Sequence, residues 1–212
     1  MTFILLLLSV LAALPDSTIT IRAGRLYDGV STVRANMVIA VRDQRIVSIT
    51  PYAGQPVTYD LHDRTVLPGF IDVHVHAAWY INKRGQLHTP GDGESPADVR
   101  AGLLGNARAL LQAGFTTVQS LGGSDEAELR ELVRPDSVPA PRILASIEPI
   151  MLSARASVRD LERVAALHPD VIKVFASDDV LPGTPEAAHV LAALGTICRA
   201  AHVHRLRVVV HA

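Results

Sequence analysis

Cysteine is almost missing from this chain. Cys198 is the only one in 212 residues, so no disulfide can form within it. On the apolar side of an expected helix, Cys198 reads as a small buried hydrophobe. Lysine is nearly as scarce: Lys83 and Lys173 are the only two, and arginine carries the remaining basic charge. A lysine set in an apolar stretch of such a chain is therefore not filler. Neither sign of charge dominates, and a formal net charge of -1 removes any electrostatic case for nucleic-acid binding. Low-complexity tracts and internal repeats are absent. So is an apolar run long enough for a stable membrane span, which needs about 20 residues. The nearest to one is Phe3 to Leu14, broken only by Ser9 and followed by Pro15-Asp16. That run fits the hydrophobic part of a signal peptide over residues 1–16, with export to a periplasm or the exterior as the expectation. A mis-assigned start or an internal hydrophobic strand is the alternative, which would leave the chain cytoplasmic.

With 49% hydrophobic and 19% charged residues, the chain can bury a core. Residues 17–66 alternate and turn often. Thr18–Arg22, Met37–Val41 and Arg45–Ile49 are expected strands, with turns at Asp28-Gly29, Asp43-Gln44 and between Pro51 and Pro56. From residue 67 to 212 the rhythm becomes strand then helix. Expected strands are Phe70–Val75, Thr116–Leu121, Arg142–Ile147, Val171–Ala176 and Arg207–His211. Expected helices are Pro96–Ala113, Ser124–Arg134, Ser157–Leu167 and Pro185–Ala201, with Gly114 as a stop and Ser124 and Ser157 as caps. Val190, Leu191, Leu194, Ile197, Cys198 and Ala201 share the expected core side of the last helix. Strands alternating with helices make a parallel α/β unit, in which functional groups gather at the carboxyl ends of the strands.

His74 and His76 close the first of these strands. Pro68-Gly69 punctuates its start, and Phe70 to Val75 is apolar and β-branched enough for a buried strand. Residues two apart on a strand point the same way, so the two imidazoles converge as metal ligands must. Asp72 shares their parity: it either holds an imidazole from behind or caps nearby backbone. Lys173 lies in Val171-Ile172-Lys173-Val174-Phe175-Ala176, which has no other charge. A buried ammonium without a partner is costly, so this lysine must be neutralised, paired or modified. A neutral amine can take up carbon dioxide as a carbamate whose oxygens bridge two metals; a snorkelling or salt-bridged structural lysine is the alternative. His211 ends the last expected strand. Residues Tyr80 to Glu94 read as a long loop of the kind that shapes a pocket, with His88 in it expected to be solvated rather than in contact with substrate. His202 and His204 repeat the first spacing, but two residues on a helix diverge by about 200°, so a shared metal is not expected and solvation is. Asp178 and Asp179 are either substrate contacts or a plain turn.

The run Val66-Leu67-Pro68-Gly69-Phe70-Ile71-Asp72-Val73-His74-Val75-His76 resembles the first-strand signature of the amidohydrolase superfamily, more narrowly its imidazolonepropionase-like and Xaa-Pro-dipeptidase-like members. Ala113 to Gly123, Val171 to Ser177 and Val208 to Ala212 resemble its second, fourth and fifth strands, and Gly24 to Gly29 the opening of its small β-sandwich. The resemblance implies an α/β fold: a partial TIM (β/α)8 barrel, about strands 1–5, over residues 67–212, preceded by part of a small β-sandwich over 17–66. It also implies that His74 and His76 hold one divalent metal, usually zinc, that carboxylated Lys173 bridges it to a second, and that His211 binds the second. Manganese, iron or cobalt would suit the same donors. The activity implied is metal-assisted hydrolysis of a carbon–nitrogen bond in a small-molecule amide or cyclic amide.

The family barrel has a further metal-binding histidine after its sixth strand and a catalytic aspartate after its eighth. Neither has a counterpart here, so no catalytic residue is named in this chain. Ser146-Ile147-Glu148-Pro149-Ile150 also lacks the Thr-Gly-Gly-His pattern of the dipeptidase relatives. A five-strand piece would expose two sheet edges, so marginal stability and self-association are expected. A catalytically dead remnant that binds metal or serves as an interaction module is one alternative. A ring deaminase is another, against which Lys173 speaks.

Overall fold

The computed structural model describes residues 18–123, 125–134, 138–152, 158–176 and 185–211, apart from the side chain of Glu186. The expected export segment, the caps Ser124 and Ser157, and Asp178 and Asp179 lie outside the described residues. Two compact units divide the chain between Pro68 and Gly69. Among the described residues, no helix is long and apolar enough to cross a membrane.

The first unit is a four-stranded sheet. Its strands are β1 (Ile19–Leu26), β2 (Arg34–Arg42), β3 (Arg45–Pro51) and β4 (Tyr59–Val66), in the order β3-β2-β1-β4. β1, β2 and β3 form an antiparallel meander, while β4 runs parallel to β1. Asp43 and Gln44, both at positive φ, turn β2 into β3. That conformation matches the right-handed twist of the flanking strands. Gly24 is obligatory where β1 bulges against β4, because a Cβ there would stand 1.9 Å from the His62 carbonyl oxygen. Ala23, Leu26, Met37 and Ile39 form the core of this unit.

The second unit runs β5 (Phe70–Val75), α1 (Pro96–Gln112), β6 (Phe115–Ser120), α2 (Glu126–Val133), β7 (Arg142–Ala145), β8 (Ile150–Met151), α3 (Val158–Ala165), β9 (Ile172–Phe175), α4 (Pro185–Val203) and β10 (Val208–His211). Two three-stranded parallel sheets result, β5-β6-β7 and β10-β9-β8. Ser95 caps α1 by accepting from the Asp98 N–H, Pro96 occupies its first turn, and Gly114 at φ +94° ends it. Leu103, Ala107, Val118, Leu129 and Ile143 pack into one core. Leu161, Val164, Ile172, Val174, Ile197 and Ala201 pack into another. Each such large apolar side chain, fully buried, contributes about 1.5–3 kcal/mol.

Four expectations need correction here. The strand foreseen as Arg142–Ile147 stops at Ala145, because Ile147 takes φ +65° and Pro149 follows. The chain then resumes as β8 in the other sheet. β5 has the expected bounds but is not buried: Phe70, Ile71 and Val73 are 51%, 66% and 66% exposed. β6 is its single strand partner, and its other edge is uncovered among the described residues. Leu191 points away from the α4 core and is exposed. Cys198 is only half-buried.

Candidate metal centre

The carboxyl ends of β5, β6, β9 and β10 carry the candidate site. β5 does not reach His74 by simple alternation. Its register against β6 slips between Asp72 and Val75, where one extra residue bulges outward. The bulge lets the Asp72 carboxylate accept from the main-chain N–H of His74 at 3.0 Å. Asp72 thus takes the backbone-capping role among its two expected ones. The imidazole rings of His74 and His76 lie with their centroids 5.8 Å apart, tilted against each other. His76 is held from two sides. Its Nδ1 lies 3.0 Å from the Gly122 carbonyl oxygen, and its ring stacks on the indole of Trp79 at 4.1 Å. A carbonyl can only accept, so Nδ1 carries the proton and the Nε2 lone pair is free.

Lys173 is the largest fully buried side chain, and its Nζ has no hydrogen-bond partner among the described residues. It lies over the Phe175 ring, 4.9 Å from its centroid. Burial holds the amine below its ordinary lysine value. β10 lies parallel beside β9, pairing His211 with Phe175, and their rings are 5.0 Å apart. Partial desolvation, then the positive charges of Lys173, His76 and His211, pull His74 below the usual imidazole value, with Asp72 opposing them. A further polar layer ties the same strands together. Arg207, at the start of β10, donates to the Gln119 side-chain oxygen at 2.8 Å. Gln119 in turn donates to the Val73 carbonyl at 3.0 Å.

His88 departs from its expected solvation. It is 8% exposed and sits at the centre of a cluster of carboxylates. Its Nδ1 is 3.0 Å from Asp92 and 3.1 Å from Glu94, and its Nε2 is 3.4 Å from Asp125. Tyr80 stacks on it at 4.6 Å and donates to Glu94 at 2.7 Å, while Asn82 donates to Asp92 at 2.9 Å. Hydrogen bonding by Asn82 is the first cause that brings the Asp92 carboxyl down to about 2. One ligand atom each from His88, Asp92 and Glu94 lies within 4.8 Å of the others, which could hold a metal ion. As it stands, the group is closed on itself by hydrogen bonds and pins the loop from Tyr80 to Glu94. A recess of about 380 Å³ opens beside it, lined in part by Asp125 and Glu128. His88, Asp92 and Glu94 were not grouped from the sequence, because they come together only in the closed loop. Of the other pair, His204 bonds Glu162 at 3.0 Å on the surface, and His202 lies exposed on α4.

The sequence pattern described as the Amidohydrolase family matches residues 65–212. The imidazolonepropionase of Micrococcus luteus is 32% identical over 105 residues, covering 48% of this chain and 23% of that protein. A dihydroorotase of Anaeromyxobacter sp. is 30% identical over 144 residues, covering 65% of this chain and 29% of its own. Among solved structures, a Xaa-Pro dipeptidase with bound methionine superposes with a TM-score of 0.73 at 24% identity, covering 92% of this chain and 57% of that one. The ochratoxinase of A. niger follows with a TM-score of 0.66 at 20% identity, covering 92% and 56%. The chain thus spans under a third of these curated relatives and just over half of these solved structures. The family match extends over more than two thirds of the sequence and contains the ends of β5, β6, β9 and β10. This chain belongs to the amidohydrolase family.

Proposed function

We propose that this chain carries the metal-binding portion of a hydrolase acting on the carbon–nitrogen bond of a small-molecule amide or cyclic amide. The observation that carries this reading is Lys173, a fully buried amine with no hydrogen-bond partner among the described residues, set beside the Phe175 ring that also packs on His211. A purely structural lysine in that place costs stability and gives nothing back. Burial favours the neutral amine, and only a neutral amine can attack carbon dioxide, forming an N–C bond and releasing a proton to give the carbamate. The donor set fits a divalent metal pair, zinc first: His74 and His76 for one ion, His211 for the other, and carboxylated Lys173 for both. When bound, such metals supply Lewis acidity toward the scissile carbonyl and an activated water.

The protein's own residues do the rest. Gly122 fixes the proton on His76 Nδ1 and so presents Nε2. The Arg207–Gln119–Val73 layer holds β10, β6 and β5 in mutual register. We read residues 69–211 as the first five strands of a (β/α)8 barrel, with β7 and β8 together in the place of the third, supported by the likeness to just over half of the dipeptidase chain. The test is hydrolysis of a panel of N-acyl amino acids, dipeptides and cyclic amides by zinc-supplemented protein, with His211→Ala beside it. Turnover lost in His211→Ala supports the reading. Turnover equal in both, or absent from both while metal is retained, replaces it with a metal-holding module.

Two lesser proposals accompany this one. The run Phe3 to Leu14 serves as an export signal, checked by whether the mature protein begins after residue 16. The exposed edge strand β5 pairs with a second copy, checked by sedimentation of wild type against an Ile71→Lys variant.

A further inference from the structure

Glu126 is a carboxylate with no solvent exposure at the first turn of α2. Four donors converge on it. Its Oε1 accepts from the Ser120 hydroxyl at 2.6 Å and the Gly122 N–H at 2.8 Å. Its Oε2 accepts from the Ser146 hydroxyl and the Ile147 N–H, each at 3.2 Å. The donors come from the ends of β6 and β7, so one side chain stitches both strand ends to the start of α2. Ser120 extends the stitch to the end of β5, where its oxygen accepts from the Ala77 N–H at 2.9 Å. Ala77 directly follows His76, and the Gly122 peptide that Glu126 grips by its N–H grips His76 Nδ1 by its carbonyl.

Both sides of His76 are thus referred to one carboxylate: its main chain through Ala77 and Ser120, its ring through Gly122. Gly122 and Gly123 stand at φ +125° and +150°, a region that only glycine enters cheaply. Ile147 stands at φ +65°, which strains a β-branched residue. Strained backbone persists where its surroundings over-determine it; the Glu126 carboxylate accepts from Gly122 and Ile147, and its main-chain N–H donates to the Gly123 carbonyl at 3.4 Å.

We infer that Glu126 is the positioning residue for His76: it fixes the Gly122 peptide so that the imidazole is held as its Nδ1–H tautomer with Nε2 presented. This rests on the proposed metal centre for its purpose but not for its geometry. Groups that hold a metal-binding imidazole from behind commonly matter about 10–100-fold in metal affinity. Glu126→Gln keeps the shape but turns an NH₂ group onto one of the two arms, where a main-chain N–H already points.

Two readouts separate positioning from plain stability. The first is the His76 tautomer in metal-free protein, read by long-range proton–nitrogen NMR correlation. The second is zinc affinity, read through the fluorescence of Trp79, the only tryptophan, stacked on His76. Ser95→Ala removes the cap of α1, away from Glu126, and is the stability control. The expected result is Nδ1–H in wild type and in Ser95→Ala, a mixed tautomer in Glu126→Gln, and zinc binding weakened about 10–100-fold in Glu126→Gln but not in Ser95→Ala. Should Glu126→Gln not fold, Ser120→Ala breaks the link between Glu126 and Ala77, with a smaller shift in the same direction expected. An unchanged tautomer in whichever of these variants folds overturns the inference, as does Nε2–H in wild type. A shifted tautomer in a protein that binds no zinc leaves the positioning standing and removes the metal centre instead.

Discussion

Replacing Lys173 by methionine should make the metal-free protein more stable while abolishing its metal chemistry. Methionine has nearly the same length and no polar end. The substitution therefore removes the one buried, partnerless amine on β9 without opening a large cavity. An unsatisfied buried polar group costs about 1–3 kcal/mol, so Lys173→Met should gain about that much. For a chain of this size each kcal/mol moves the melting temperature by about 2–4 °C. The sign with pH follows from linkage. Burial lowers the folded-state value of Lys173 below the ordinary 10.5, so between the two values the unfolded chain binds more protons. Wild-type stability therefore rises with pH across that interval, and Lys173→Met removes this part of the slope. Urea unfolding at several pH values, in chelator and without bicarbonate, measures both effects. Zinc and bicarbonate together should stabilise wild type more than the variant. A variant that is less stable by several kcal/mol would show that Lys173 has a structural partner, and the reasoning would fail.

Other consequences can be checked separately. Gly122→Ala forces a side chain to φ +125° and should cost about 1–3 kcal/mol in urea unfolding, with zinc affinity falling alongside. Asp92 sits near 2 in the folded chain against an ordinary 3.8; its stabilising effect is complete above the ordinary value and lost as pH falls toward 2. Asp92→Asn should accordingly show a shallower loss of stability between these limits, followed by circular dichroism during acid titration. Ser95→Ala removes the cap of α1 and should cost about 1 kcal/mol in thermal unfolding, without altering zinc binding.

How much of this was legible from sequence depends on how local each signal is. The β5 bounds, the Asp43-Gln44 turn and the Ser95–Pro96 start of α1 are written in adjacent residues, and the structure has them in place. β4 went unread because Asp60, His62, Asp63 and Arg64 break any apolar alternation; it exists by pairing with β1. The bulge at His74 was hidden for a similar reason, since it arises from register against β6 and not from β5 itself. Glu126 was invisible as a hub. An acid in the first turn of a helix ordinarily faces water beside the positive end of the dipole. Its burial requires donors from residues 120, 122, 146 and 147 folded around it. His88 was misjudged because its carboxylate partners reach it only once the loop has closed and α2 has docked.

Anomalous diffraction at the zinc edge from crystals of zinc-loaded protein tests the central assignment most directly, because the described residues offer a rival to the proposed centre at His88, Asp92 and Glu94. The strongest peak should lie against His74 and His76, with Lys173 and His211 bordering it or a second peak beside it. A sole peak at His88, Asp92 and Glu94, or no peak at either place, would contradict the assignment.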